Sequence, residues 1–136
     1  MIRWSHAALN CRDLDATEEF YRRHFGFTRS NDFKVDDTRI VFIRLGEEYL
    51  ELFATPDTTG QERGQAENDG SARVGTVRHL AFQVDDVDGF LAGLGPDAEV
   101  SLGPLDFHAF IPGWRSVWIR DPDGIIVEVS QGYHEH

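Results

Sequence analysis

The 136-residue chain has a single cysteine, Cys11, a single methionine at position 1, and no cluster of basic residues. One cysteine excludes an internal disulfide and any multi-cysteine metal site, and its place in an apolar stretch predicts a buried, inert thiol. No apolar run approaches the roughly 20 residues that span a bilayer, and no charged-then-apolar leader opens the sequence, so the expected location is cytoplasmic. Thirteen Lys plus Arg stand against 24 Asp plus Glu, a formal net charge of −11. Nucleic acid and anionic membrane both reward clustered positive charge, so neither is an expected partner. What remains is the composition of a folded protein, 40% apolar and 12% aromatic, enough for one ordinary domain or two small modules sharing a core.

The sequence writes one pattern twice. HAALN at 6 to 10 and HLAFQ at 79 to 83 each open on His, alternate in the strand sense, close on an amide and run into an Asp-rich turn. After the first, Asp13-Leu14-Asp15 offers capping oxygens, with Asp15 and Glu18 spaced as a capping box, and apolar residues follow at near-helical spacing to Gly26. Extended stretches are expected at 28–35, 38–45 and 48–54. Residues 55–76 lose the periodicity and read as a linker. The second copy places a strand through Val77, His79, Ala81 and Gln83, a helix capped by Asp85-Asp86 and stopped by Gly95-Pro96, then strands near 99–102, 115–120 and 125–130 around the Asp121-Pro122-Asp123-Gly124 turn. The expected division is a first module at 1–54, a linker at 55–76 and a second module at 77–136.

Corresponding residues keep step. His6 precedes Glu51 by 45 residues and His79 precedes Glu128 by 49, a difference that loops absorb. Each Glu sits between apolar neighbours, Leu50 and Leu52 or Val127 and Val129, so its side chain points away from the face that packs on helices. Two His and two carboxylates at matched positions suit a divalent cation such as Zn²⁺, Ni²⁺, Co²⁺, Fe²⁺ or Mn²⁺ and leave coordination positions for substrate oxygens.

These motifs, His6 in SHAALNCRDLDATEEFYRRHFGF, Glu51 in YLELF, His79 in RHLAFQVDDVDGFL and Glu128 in DPDGIIVEV, resemble the vicinal oxygen chelate superfamily over nearly the whole chain. The superfamily includes glyoxalase I, methylmalonyl-CoA epimerase, extradiol dioxygenases, fosfomycin-resistance enzymes and bleomycin-binding proteins. The resemblance implies an α+β fold of two βαβββ modules forming a cupped eight-stranded mixed sheet with helices outside. It also implies a metal held by His6, Glu51, His79 and Glu128, and a homodimer.

The four-residue set is most similar to glyoxalase I, a lyase or isomerase that moves a proton next to a carbonyl through a metal-bound enediolate. In that resemblance Glu128 is the first-choice base, Glu51 its partner or alternate, and the substrate is a small molecule with adjacent oxygens. No set of basic residues suited to glutathione stands out. An extradiol-type dioxygenase, an epimerase and a metal-free antibiotic-binding protein are the alternatives.

Secondary candidates are weaker. Asn10 and Gln83, at matched strand positions, are candidates to orient ligands or substrate, although strand-end hydrogen bonding is the more common role of such amides. Trp4, Phe42, Tyr49, Phe53 and Trp118 suit the walls of a pocket or a core. His108 lies in a loop ahead of Pro112-Gly113 that could act as a lid. Arg115 suits an anionic substrate or a surface ion pair, and His134 and His136 lie on a polar tail.

Overall fold

The computed structural model describes residues 1–96 and 98–135. His136 lies outside the described residues. In chain order the elements are β1 (His6–Asn10), α1 (Leu14–Phe25), β2 (Thr28–Val35), β3 (Thr38–Leu45), β4 (Glu48–Ala54), α2 (Pro56–Thr59), β5 (Leu80–Gln83), α3 (Val87–Leu94), β6 (Val100–Asp106), β7 (Arg115–Arg120) and β8 (Ile126–Gln131). The chain divides into two compact units, Met1–Arg63 and Gly64–His136. Each holds a four-stranded mixed sheet, β1-β4-β3-β2 in the first and β5-β8-β7-β6 in the second, and so repeats one βαβββ topology. Among the described residues no helix is long and apolar enough to cross a membrane.

Alternation builds both sheets. In the first unit Leu9, Leu50, Leu52, Val41 and Ile43 point to one face and are buried with Leu14, Thr17 and Tyr21 of α1. In the second, Val117, Ile119, Val127 and Val129 are buried with Val87 and Leu94 of α3. Burying these aliphatic side chains is the main stabilising term, about 1.5–3 kcal/mol for each fully buried one before the opposing entropy. Because strand side chains alternate, the same packing sends His6, Glu51 and Glu128 to the opposite face.

Local signals differ from expectation at three places. The capping oxygen of α1 belongs to Asp13, which accepts the Ala16 N–H at 3.2 Å, and not to Asp15. The helix begins two residues earlier than the Asp15–Glu18 spacing suggests, which leaves those carboxylates to pair with Arg39 and Arg29. His79 stands one residue ahead of β5 rather than inside it. The third is in residues 55–76, where Thr55 and Thr58 close a capping box over the single turn of α2. Further along, Gly64 N–H donates to the Asp123 carbonyl at 2.8 Å, and Asp69 reaches both Arg78 and His79. Much of the stretch that reads as linker is therefore packed onto the second unit.

The turn before β8 is ordered by one carboxylate. Asp121 Oδ1 accepts the N–H groups of Asp123 at 2.8 Å and Ile125 at 3.0 Å. Gly124 adopts φ +82°, and a Cβ there would lie 2.2 Å from the Gly64 carbonyl oxygen, so only glycine fits. This turn fixes the β7–β8 register that sets Glu128 opposite Trp118.

Candidate metal and substrate site

Each unit presents one His–Glu pair. In the first, β1 and β4 run parallel with Ala8 opposite Glu51, which sets His6, two residues earlier on the same face, diagonal to the carboxylate. His6 Nε2 lies 3.1 Å from Glu51 Oε1, and the Phe42 ring meets the imidazole edge-on at 5.2 Å. In the second, β5 and β8 run parallel with Ala81 opposite Glu128, and His79 is again two residues earlier. His79 Nε2 lies 2.9 Å from Glu128 Oε1. The same offset in two sheets yields the same pair.

The donor chemistry fits a divalent cation. His79 Nδ1 lies 2.6 Å from the Asp69 backbone carbonyl. A carbonyl oxygen only accepts, so Nδ1 carries the proton and Nε2 of the neutral ring presents a lone pair. That lone pair faces a carboxylate oxygen, so a proton or a cation must lie between two acceptors. Two donors each about 2.1 Å from one tetrahedral ion lie about 3.4 Å from each other, so either pair needs only a few tenths of an ångström of opening to receive one. A backbone carbonyl on the far ring nitrogen is also the usual support of a metal-ligating imidazole. Among the described residues no group of three or more His, Cys, Asp or Glu could hold a metal ion.

The second pair is embedded in polar support that sequence reasoning missed. Ser116 Oγ donates to Glu128 Oε2 at 2.7 Å, and the Ser116 and Ser130 hydroxyls lie 3.1 Å apart. Trp114 Nε1–H donates to Ser130 Oγ at 2.8 Å. Ser130 follows Glu128 by two residues and so shares its face, a signal present in the sequence. Ser116 and Trp114 enter through cross-strand register and loop path, which the sequence does not display. Asp69 acts through its backbone, where side-chain identity gives no signal.

The other candidates divide. Gln83 lines a cavity of about 340 Å³ with Ala81, Phe82, Trp114, Glu128, Ser130 and Tyr133, beside the second pair. Trp118 is buried with its ring 6.5 Å from that of His79. Tyr49 and the exposed Trp4 line a polar cleft of about 710 Å³ with Arg3, Ser5, Arg44, Gly46, Glu47 and Glu48. Phe53 shares the face of Glu51, and Asn10 is exposed at the end of β1 beside it. The structure does not bring His108 or Arg115 to either pair: His108 Nδ1 accepts the Gly113 N–H at 3.0 Å within its own loop, and Arg115 pairs with the exposed Asp88 at 2.9 Å. His134 Nδ1 lies 2.9 Å from the Gly132 carbonyl in the exposed tail.

Comparison with known proteins gives one family. The model of the Glyoxalase/Bleomycin resistance protein/Dioxygenase superfamily matches residues 3–129. A search of curated protein sequences finds no match. Among solved structures, a glyoxylase/bleomycin resistance protein/dioxygenase domain from Frankia sp. EAN1pec is 22% identical, with 100% of this chain and 96% of that chain covered and a TM-score of 0.67. The trypanothione-dependent glyoxalase I of Leishmania major is 23% identical, covering 97% and 88% at a TM-score of 0.72. The fosfomycin resistance protein FosX of Listeria monocytogenes, solved with Mn(II) and sulfate, is 20% identical, covering 98% and 95% at a TM-score of 0.65. These likenesses show the fold.

Proposed function

Because the chain belongs to the Glyoxalase/Bleomycin resistance protein/Dioxygenase superfamily, we propose that it is a metal-dependent lyase or isomerase of glyoxalase I type, acting as a homodimer on a small substrate with adjacent oxygens. The observation that carries this reading is the repetition of one His–Glu pair at the same strand offset in both units, with donor spacings of 3.1 Å and 2.9 Å. His6, Glu51, His79 and Glu128 would hold a divalent cation, Zn, Ni, Co, Mn or Fe. When bound, such an ion supplies Lewis-acid stabilisation of the negative charge that develops on the substrate oxygens.

The chain's own residues do the rest. His6 and His79 act as neutral donors through Nε2, and the Asp69 carbonyl keeps the His79 ring in that orientation. A carboxylate of the set, Glu51 or Glu128, accepts the proton from the carbon next to the carbonyl and returns it to the neighbouring carbon. The cavity walled by Phe82, Trp114 and Tyr133 receives the substrate's less polar portion.

Bound metal per chain, measured by elemental analysis on untagged protein, tests the reading. Near-stoichiometric metal lost in both His6→Ala and His79→Ala supports it, and hemithioacetals of a 2-oxoaldehyde are then the first substrates to follow by proton exchange. Iron with oxygen uptake on a catechol would redirect it to a ring-cleaving dioxygenase. No metal after incubation with each ion would refute it. A second reading, a metal-free binder of an apolar small molecule, is favoured by that same aromatic cavity, and it requires binding that survives both chelation and Glu128→Gln.

A further inference from the structure

The two carboxylates are held differently, and hydrogen-bond direction shows how. A carboxylate only accepts, and a serine hydroxyl has one proton to give. The Ser116 proton is therefore committed to Glu128 Oε2 at 2.7 Å, and the proton in the 3.1 Å contact between Ser116 and Ser130 belongs to Ser130. The Trp114 indole N–H, which can only donate, completes a one-way chain from Trp114 through Ser130 and Ser116 to the carboxylate. Such chains strengthen each member. Ser116 is wholly buried, and Ser130 and Glu128 are 6% and 7% exposed. With Oε1 facing a His79 ring that is itself anchored, Glu128 is fixed at both oxygens.

Glu51 has no such support. Among the described residues its only polar partner is His6, through Oε1. The positions of its unit that correspond to Ser116 and Ser130 by strand register are Ile40 and Phe53, neither of which carries a donor. His6 Nδ1 meets the hydroxyl of Ser5 at 2.7 Å, an exposed group that can give or accept a proton. One half of the donor set is rigid and the other adaptable.

We propose that Ser116 is a positioning residue that holds Glu128 as the stationary carboxylate of its His–Glu pair. The inference rests on the metal reading above. Held in this way, Glu128 would serve as a fixed donor to the cation.

The test is Zn(II) affinity of the full chain by chelator competition, together with the indole N–H resonance of Trp114, assigned by its loss in Trp114→Phe. Ser116→Ala is expected to weaken Zn(II) binding about 10–100-fold and to abolish a Zn(II)-induced shift of the Trp114 indole signal that wild type shows. Glu128→Gln is expected to cost more affinity than Glu51→Gln. If Ser116→Ala fails to fold, Ser116→Thr, which keeps the hydroxyl, and Trp114→Phe, which removes the first donor together with part of a packed ring, decide: weakening of about threefold or more in Trp114→Phe with affinity kept in Ser116→Thr supports the chain, and none in Trp114→Phe overturns it. Zn(II) affinity and indole shift unchanged in a folded Ser116→Ala, or Glu51→Gln costing as much as Glu128→Gln, overturns the inference while the metal reading stands. A wild-type chain that binds no ion overturns both.

Discussion

Replacing Gly70 by alanine tests whether the stretch before β5 sets the second His–Glu pair. Gly70 adopts φ +118°, and a Cβ there would lie 1.6 Å from the Arg78 carbonyl oxygen. No rotamer relieves a clash between Cβ and backbone, so residue 70 and the Arg78 peptide must separate. Gly75 is the internal control: it also has positive φ, +89°, but nothing lies within 4 Å of its Cβ.

Both substitutions carry the cost of a left-handed backbone, about 1–2 kcal/mol, and Gly70→Ala adds an overpacking cost of about 1–3 kcal/mol. Denaturant titration should therefore place Gly70→Ala about 2–5 kcal/mol below wild type and Gly75→Ala about 1–2 kcal/mol below. Moving residue 70 also draws the Asp69 carbonyl off His79 Nδ1, so Zn(II) affinity should fall about tenfold in Gly70→Ala, or about 1.4 kcal/mol, and stay unchanged in Gly75→Ala. Equal destabilisation by the two, or full affinity in a folded Gly70→Ala, would refute the reasoning.

Leu52, wholly buried on the helix side of β4 next to Glu51, should lose about 2–5 kcal/mol of stability on truncation to Ala by chemical denaturation. His24 titrates below its ordinary range because burial and the neighbouring Arg23 disfavour its charged form. The unfolded chain then binds the proton first, so stability is full above the unfolded value near pH 6.5 and declines as pH falls through it; His24→Gln should flatten that decline in denaturation series between about pH 7 and pH 5. Arg115→Ala removes a surface pair with Asp88 and should change stability by no more than about 1 kcal/mol, with metal content untouched by elemental analysis.

The duplicated architecture is legible in the sequence because it rests on period-two alternation and turn residues, both local. Leu50 and Leu52 fix which face of β4 is buried, and Glu51 follows automatically; Val127 and Val129 do the same for Glu128. Lengths at strand ends are less legible, since His79 belongs to no ladder pair and the α1 cap shifts from Asp15 to Asp13. Least legible are contacts made by backbone or set by cross-strand register. The Asp69 carbonyl lies in a segment of linker-like composition, and the Ser116–Glu128 bond depends on a register set by the Asp121 turn. His108 and Arg115 have plausible chemistry for a site, but loop path and a nearby Asp88 decide where they point.

A strand slip of one residue would exchange the two faces of a sheet. In β8 such a slip would bury Glu128 against α3 and expose Val127 and Val129, so hydrophobic packing alone enforces the register that presents the carboxylate. That explains why both units keep the pair geometry within 0.2 Å, 3.1 Å against 2.9 Å: the pair inherits its position from the core. The polar support is under no such constraint, because residues on the face away from the helix do not decide which side of the sheet the helix covers. Positions 40 and 53 therefore carry Ile and Phe while 116 and 130 carry Ser, and the two halves differ in rigidity without differing in fold. Duplication supplies equal donors, and the uncommitted face of each sheet is where their roles separate.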